Sequence, residues 1–200
     1  MAVCLDVTYV SQLNYGGGMN DPTGCWYCSA QMVGFYFEQG PRQGVPEFHV
    51  GGQHMSTGDN SVAKSFARNA LQAKGFVNEH EALAKREGMS PVAECETNKE
   101  YVCWEVEDLL RAGGPIFFYW KKTRTNGASY GHASVLIGVD ERTREIIYHD
   151  PEGTAECEGG SFRRMKIVNW YTLRQKWKYA MMQRADKGDT AIRAFDPSLF

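Results

Sequence analysis

The chain has 200 residues, 22 basic and 24 acidic, with a formal net charge of −2; a balance this close to neutral excludes broad electrostatic binding to nucleic acid or to an anionic membrane surface. At this length it buries roughly 70% of its unfolded surface, enough to fold as one domain, or one with an appended piece, without a staple. No apolar run approaches the ~18 residues that a membrane span needs.

In chain order, Val3, Leu5, Val7 and Tyr9 alternate with Cys4, Asp6, Thr8 and Val10, which predicts a first strand over residues 3–12. Residues 14–22, with Gly16, Gly17, Gly18 and Pro22, read as loop. No Gly-Lys-Ser/Thr follows, so the glycines do not form a phosphate loop. From Cys25 the chain turns apolar at helical spacing, with Ala30, Met32, Val33, Tyr36 and Phe37 on one face, and Gly40-Pro41 stops the helix after about Gln39. Residues 40–60 read as an irregular connection carrying His49 and His54. A helix is expected over residues 61–74 and a short one over 78–86, in a charged stretch that runs to 98. Thr97-Asn98-Lys99-Glu100 has the form of a capping box and introduces a helix over 101–112, closed by Gly113-Gly114-Pro115.

Strands then take over. Residues 116–120 form a continuous apolar run that suits a buried strand. Residues 121–131 read as a basic, glycine-containing loop, 132–139 as a strand, 140–143 as a hairpin turn and 145–149 as the returning strand. Further strands are expected over 161–168 and 179–183, with a short helix over 169–177 between them. Helices first and strands second is the α+β pattern. The expected division is one domain over residues 1–184 and a polar tail over 185–200.

The N-terminus, Met-Ala-Val-Cys-Leu-Asp-Val, lacks the basic and apolar regions of a secretory signal. The six cysteines, at 4, 25, 28, 95, 103 and 157, therefore read as reduced thiols of a cytosolic setting. Under export by another route, Cys95 and Cys103 are the pair best separated for a bridge.

Cys25 falls at or just before a first helical turn, where unpaired N–H groups and the positive end of the helix dipole favour an anion. A thiol there ionises more readily, and the thiolate is the nucleophile. Cys28 lies nearly one turn further in and reads as a small buried residue. A thiol nucleophile needs a base. Of the five histidines, His49 and His54 sit on a loop and His80 in a charged, exposed-looking helix. His132 opens a strong apolar strand, a rigid mount with an open side. If residues 132–139 and 145–149 pair as a hairpin, the start of one lies beside the end of the other. Asp150 then stands next to His132 and supplies the group that orients the imidazole.

With these residues in place, the chain resembles the papain-like cysteine peptidases. The closer likeness is to a bacterial branch around the leader-processing peptidases of bacteriocin exporters and the plant-pathogen effector proteases. Three motifs carry the likeness: a first strand ending in Gln12, Cys25-Trp26 followed by small residues at a helix start, and Gly131-His132 opening a strand with Asp150-Pro151 ending the next. The resemblance implies a papain-like fold, its helical N-terminal half packed on a C-terminal antiparallel sheet. It implies Cys25 as nucleophile, directly before the Trp, His132 as general base and acid, Asp150 as the group that orients it, and Gln12 as an oxyanion donor with the Cys25 backbone N–H. In the family the Gln stands only a few residues before the Cys. Here Gln12 precedes Cys25 by thirteen, so Asn14 and Asn20 are rivals for that role.

The resemblance further implies a protein substrate, cleaved after paired glycines as the leader-processing relatives do. Trp26, Tyr130 and the Gly16–Gly18 loop are candidates for narrowing the cleft. No cofactor, metal, nucleic acid or membrane partner is expected. A free protease endangers its own cytosol. The expected setting is therefore an effector or toxin, cytoplasmic in the producer, delivered into target cells by a dedicated secretion system, and held by a cognate inhibitor or immunity protein. The competing picture is a housekeeping peptidase of narrow specificity. The same triad also serves deamidation, acyl transfer and cell-wall amide hydrolysis. From other classes, Cys25-Trp26-Tyr27-Cys28 is the C-x-x-C pair of a thioredoxin-like oxidoreductase, but a polar glycine loop stands where that fold needs an apolar strand. A zinc site lacks a second ligand pair of suitable spacing. A non-catalytic binding module would draw on 5 Trp and 10 Tyr, which are scattered and mostly suit core positions.

Overall fold

The computed structural model describes residues 2–12, 24–37, 49–50, 53–54, 79–153 and 159–184. In chain order these form β1 (Ala2–Cys4), α1 (Cys25–Tyr36), β2 (His49–Val50), β3 (Gln53–His54), α2 (Glu79–Arg86), β4 (Met89–Pro91), α3 (Cys103–Gly113), β5 (Ile116–Thr123), β6 (Ser129–Asp140), β7 (Glu145–Asp150), β8 (Gly160–Lys166), α4 (Ile167–Leu173) and β9 (Met181–Arg184). The architecture is α+β. Among the described residues an antiparallel sheet runs β4-β9-β5-β6-β7-β8, with β1 added to the far end of β6.

The centre of the sheet is its most apolar part. Ile116, Phe117 and Phe118 of β5 and Val135, Leu136 and Ile137 of β6 have no exposed surface. Such continuous burial means that both faces are covered. α1 and α3 pack against β6, α1 contributing Met32 and Val33 and α3 contributing Val106 and Leu110 to one shared core. Trp170 of α4 meets Phe118 and Tyr101 edge-on or tilted. Burial of each such side chain is worth roughly 1.5–3 kcal/mol. Arg174, just beyond α4, is buried and donates to the carbonyls of Cys95, Thr97 and Lys99. It thereby pins the turns that precede α3.

Several elements differ from the sequence reading. The first strand is short: β1 ends at Cys4, with Leu5 bridging to Ile137 (2.8 Å). Residues 6–12 join no ladder and are held largely by side-chain bonds to the end of β7. β5 is longer than expected, because Lys121, Lys122 and Thr123 continue the ladder opposite Gly131, Tyr130 and Ser129. The basic loop shrinks to a tight turn in which Arg124 and Ala128 are bonded (2.9 Å). α3 begins at Cys103, not at 101, and Thr97 does not cap it; the Glu105 carboxylate accepts the Val102 N–H (3.0 Å) instead. Thr97 caps its own turn by accepting the Lys99 N–H. α4 is displaced to Ile167–Leu173. His49 and His54 do not lie on an irregular loop but are register partners in the β2–β3 ribbon. The helix expected over 61–74, the glycine loop and the tail over 185–200 lie outside the described residues.

Gly114 joins α3 to β5 with φ 71° and ψ −158°, a region essentially restricted to glycine. A Cβ there would stand 2.8 Å from the Phe37 ring at the end of α1. Gly114→Ala is therefore expected to lower unfolding free energy by about 1–3 kcal/mol from the backbone alone. Urea denaturation followed by tryptophan fluorescence measures it, and an unchanged midpoint would contradict the assignment.

Candidate active site

Two pieces of secondary structure bring the site together: the N-terminus of α1 and the same-face residues of β5, β6 and β7. Gly24 is the N-cap of α1 and supplies no side chain to its first turn, which also carries no acidic residue. The positive end of the helix is thus not neutralised from within its own first turn. Cys25, the first helical residue, is partly exposed, whereas Cys28 has no exposed surface. Of these two, Cys25 is the thiol that a substrate can meet.

On the sheet, Trp120 pairs with His132 and Lys122 with Tyr130. Residues opposite each other, and residues two apart, share a face, so these four side chains form one patch. Tyr148 stands opposite Leu136 on that face, and Asp150 lies two residues further along β7. The sequence expectation that Asp150 stands beside His132 thus has a register behind it. His132 Nε2 and Asp150 Oδ1 are 2.7 Å apart.

An ionised carboxylate only accepts, so Nε2 carries the proton. Nδ1 is the nitrogen left for Cys25, whose side chain hydrogen-bonds to the imidazole. Trp120 and Tyr130 flank the ring edge-on, at 5.9 and 5.8 Å between centroids.

His132 is 1% exposed and Asp150 fully buried. Burial disfavours the imidazolium, but the charge of Cys25, the hydrogen bonds to Asp150 and Cys25, and the charge of Asp150 outweigh it. The imidazole is held up at about 9. Burial likewise works against the Asp150 carboxylate, yet its acidity is net increased by the hydrogen bond and charge of His132 and by Lys122. Each oxygen of Asp150 is engaged: Oδ1 also accepts the Glu152 N–H (3.0 Å), and Oδ2 accepts Lys122 Nζ (2.8 Å). Lys122 further donates to the Glu152 carbonyl (3.1 Å) and lies 3.3 Å from its carboxylate, to which Tyr130 donates its hydroxyl proton.

Gln12 is fully buried. Its backbone N–H donates to the Pro151 carbonyl (2.9 Å), one residue past Asp150. The same segment is fixed by Tyr9 Oη donating to the Asp150 carbonyl (3.1 Å) and by His149 Nε2 donating to the Val7 carbonyl (2.8 Å). Residues 7–12 are therefore laid along the end of β7, and Gln12 shares its mount with Asp150. Asn14 and Asn20 lie outside the described residues.

The other histidines stand apart. His149 accepts the Phe162 N–H at Nδ1 (3.1 Å), and burial pushes it down, so it is a neutral structural ring. His80 is not the exposed residue its charged helix suggested: it is half-buried, bonded to Tyr119 Oη (3.2 Å) and tilted against Trp177 (4.4 Å). Cys95 and Cys103 do not bridge, and neither they nor Cys4, Cys25 and Cys28 are in a disulfide. Burial pushes the Cys4 thiol up to about 11 and that of Cys95 in the same direction. Cys157 lies outside the described residues. Sequence reasoning missed Lys122 and Glu152. The available signal was period 2 on both strands, Trp120-x-Lys122 against Tyr130-x-His132.

The family model described as papain-like cysteine protease AvrRpt2 matches residues 1–171. The chain belongs to that family, whose members are hydrolases acting on peptide bonds. The thioredoxin-like reading of the C-x-x-C pair gives way to this membership.

The His132 imidazole is expected to titrate near 9 by NMR in the wild-type protein. Cys25→Ala removes the largest influence opposing burial, so the midpoint should fall well below that value. An unchanged midpoint would mean that the thiol is not the group holding the ring charged.

Proposed function

We propose that this member of the papain-like cysteine protease family cleaves a protein substrate with Cys25 as nucleophile, His132 as general base and acid, and Asp150 as the group that orients His132. One observation carries the reading: a buried imidazole bonded through Nε2 to a buried carboxylate and interacting with the thiol at the start of α1. The thiolate attacks the scissile carbonyl carbon and the carbonyl oxygen becomes an oxyanion. Collapse breaks the C–N bond as His132 gives its proton to the leaving amine, and a thioester remains. His132 then takes a proton from water, whose oxygen attacks the thioester and releases the acid and the thiol. The Cys25 backbone N–H at the helix start and the Gln12 side-chain amide are the proposed oxyanion donors.

Trp26 beside the nucleophile and Tyr130 beside the base favour a substrate of small side chains at the cut, such as a glycine-rich segment. No described helix is long and apolar enough to cross a membrane. We assign the protein the role of a bacterial effector acting in a target cell, with a cognate inhibitor covering the cleft between Cys25 and His132 in the producer.

Cys25→Ala is expected to abolish cleavage with the fold intact, and Cys28→Ala to retain most activity. His132→Ala should cost as much as losing the nucleophile, since the two act as a unit. Asp150→Ala should cost less, about 10⁴-fold or below in rate. kcat/KM on a peptide library measures all four, and full activity of Cys25→Ala would end the reading. For the biological role, wild-type and Cys25→Ala chains are expressed in a naive bacterial host. Slowed growth with the wild type alone supports a toxin, whereas equal growth with soluble, active wild type removes that role and leaves the peptidase.

A further inference from the structure

Behind the His132–Asp150 pair lies a second set of charges that the reaction above does not use. Lys122, Asp150 and Glu152 are each less than 5% exposed. Taking an ion out of water is costly, and the cost is recovered only when partners and hydrogen bonds are near ideal. Nothing in core packing requires these charges there, since Lys122 occupies an inward position of β5 beside Trp120, where an apolar residue would fit the pattern of the strand.

We propose that Lys122 and Glu152 are positioning residues that fix the geometry and the charge of the His132–Asp150 pair, Lys122 as an ammonium shared by the two carboxylates and Glu152 as a negative charge close to the ring. Lys122 Nζ reaches Asp150 Oδ2 at 2.8 Å, the Glu152 carbonyl at 3.1 Å and Glu152 Oε2 at 3.3 Å. This leaves Asp150 Oδ1 facing His132. Glu152 Oε2 stands 3.9 Å from His132 Nδ1. Tyr130 holds that carboxylate by a hydrogen bond, and Arg124 lies over the Tyr130 ring (4.9 Å to its centroid).

Among the described residues, the charged and titratable groups around the ring include Cys25 from α1, Lys122 and Arg124 at the end of β5, Tyr130 from β6, and Asp150 and Glu152 from the end of β7, with Tyr9 bonded to the Asp150 carbonyl. Lys122 lies against both carboxylates, and its positive charge stabilises their ionised forms and so the acceptor that the His132 N–H needs.

The inference rests on the peptidase reading of the site, and its test separates the two. The rate of Cys25 alkylation by iodoacetamide is measured from pH 4 to 10 in wild type, Lys122→Met and Glu152→Gln, with the modified residue located by mass spectrometry. Loss of a positive charge makes every proton loss at the site harder, so both limbs of the Lys122→Met profile should move up by about one unit. Loss of a negative charge makes each easier, so the Glu152→Gln limbs should move down by about the same amount. Glu152→Gln changes one atom and decides the matter alone if Lys122→Met does not fold. kcat should fall in both variants with KM little changed. Limbs that stay put, or move in the same direction in both variants, would overturn the proposal and leave the triad standing. A wild-type profile without two limbs would overturn the triad reading itself.

Discussion

A carboxylate with no exposed surface sits at the end of β7, and its ionised state constrains everything near it. Asp150 accepts from His132 Nε2, from Lys122 Nζ and from the Glu152 N–H. Left alone, a carboxyl group in that position would hold its proton. Each donor fixes a different element: Lys122 the end of β5, His132 the first half of β6, and the Glu152 amide the chain leaving β7. The paired strands bring these donors to one place because residues opposite each other share a face, and no flexible loop has to be ordered to do so.

The second half of the site is the N-terminus of α1, and the chain ties it to the sheet through core packing. Met32 and Val33 belong to the same apolar cluster as β5 and β6. The N-terminal segment closes the arrangement from another side: β1 is added to β6, and residues 7–12 follow the end of β7 by bonds to residues 149–151. Gly138 of β6 permits this, since a Cβ there would fall 2.4 Å from the Val3 carbonyl. His149 contributes as a neutral ring, donating to Val7 and accepting from Phe162. The two adjacent residues His149 and Asp150 thus point to opposite faces of β7, one holding the fold and one facing His132.

What could be read from the sequence follows from which signals are local. The glycine-rich run giving way to helical spacing marked Cys25 as a helix start, and strand periodicity set His132 and Asp150 on neighbouring strands, although β6 begins at Ser129, before His132, because residues 129–131 pair with the end of β5. The family resemblance drawn from those residues agrees with the family the chain belongs to. Lys122 was unreadable because a buried lysine looks like a loop lysine until its partners are known, and those partners lie 28 and 30 residues away. β4 was missed for a similar reason: Met89–Pro91 is a strand only because β9, at the other end of the described chain, pairs with it. The Thr97 box matched a helix-start pattern, but the turn it caps is its own, and Arg174 holds that turn from 75 to 79 residues away.

The account depends on Cys25 and His132 forming one charged unit in which the imidazolium faces the thiolate. The most direct measurement is the ratio of Cys25 alkylation rates with anionic iodoacetate and neutral iodoacetamide at pH 6, in wild type and in His132→Ala. A positive ring beside the sulfur draws in the anionic reagent, so the wild-type ratio should exceed that of a free thiol such as glutathione and should collapse in His132→Ala. A wild-type ratio equal to that of glutathione, unaffected by the substitution, would contradict the account.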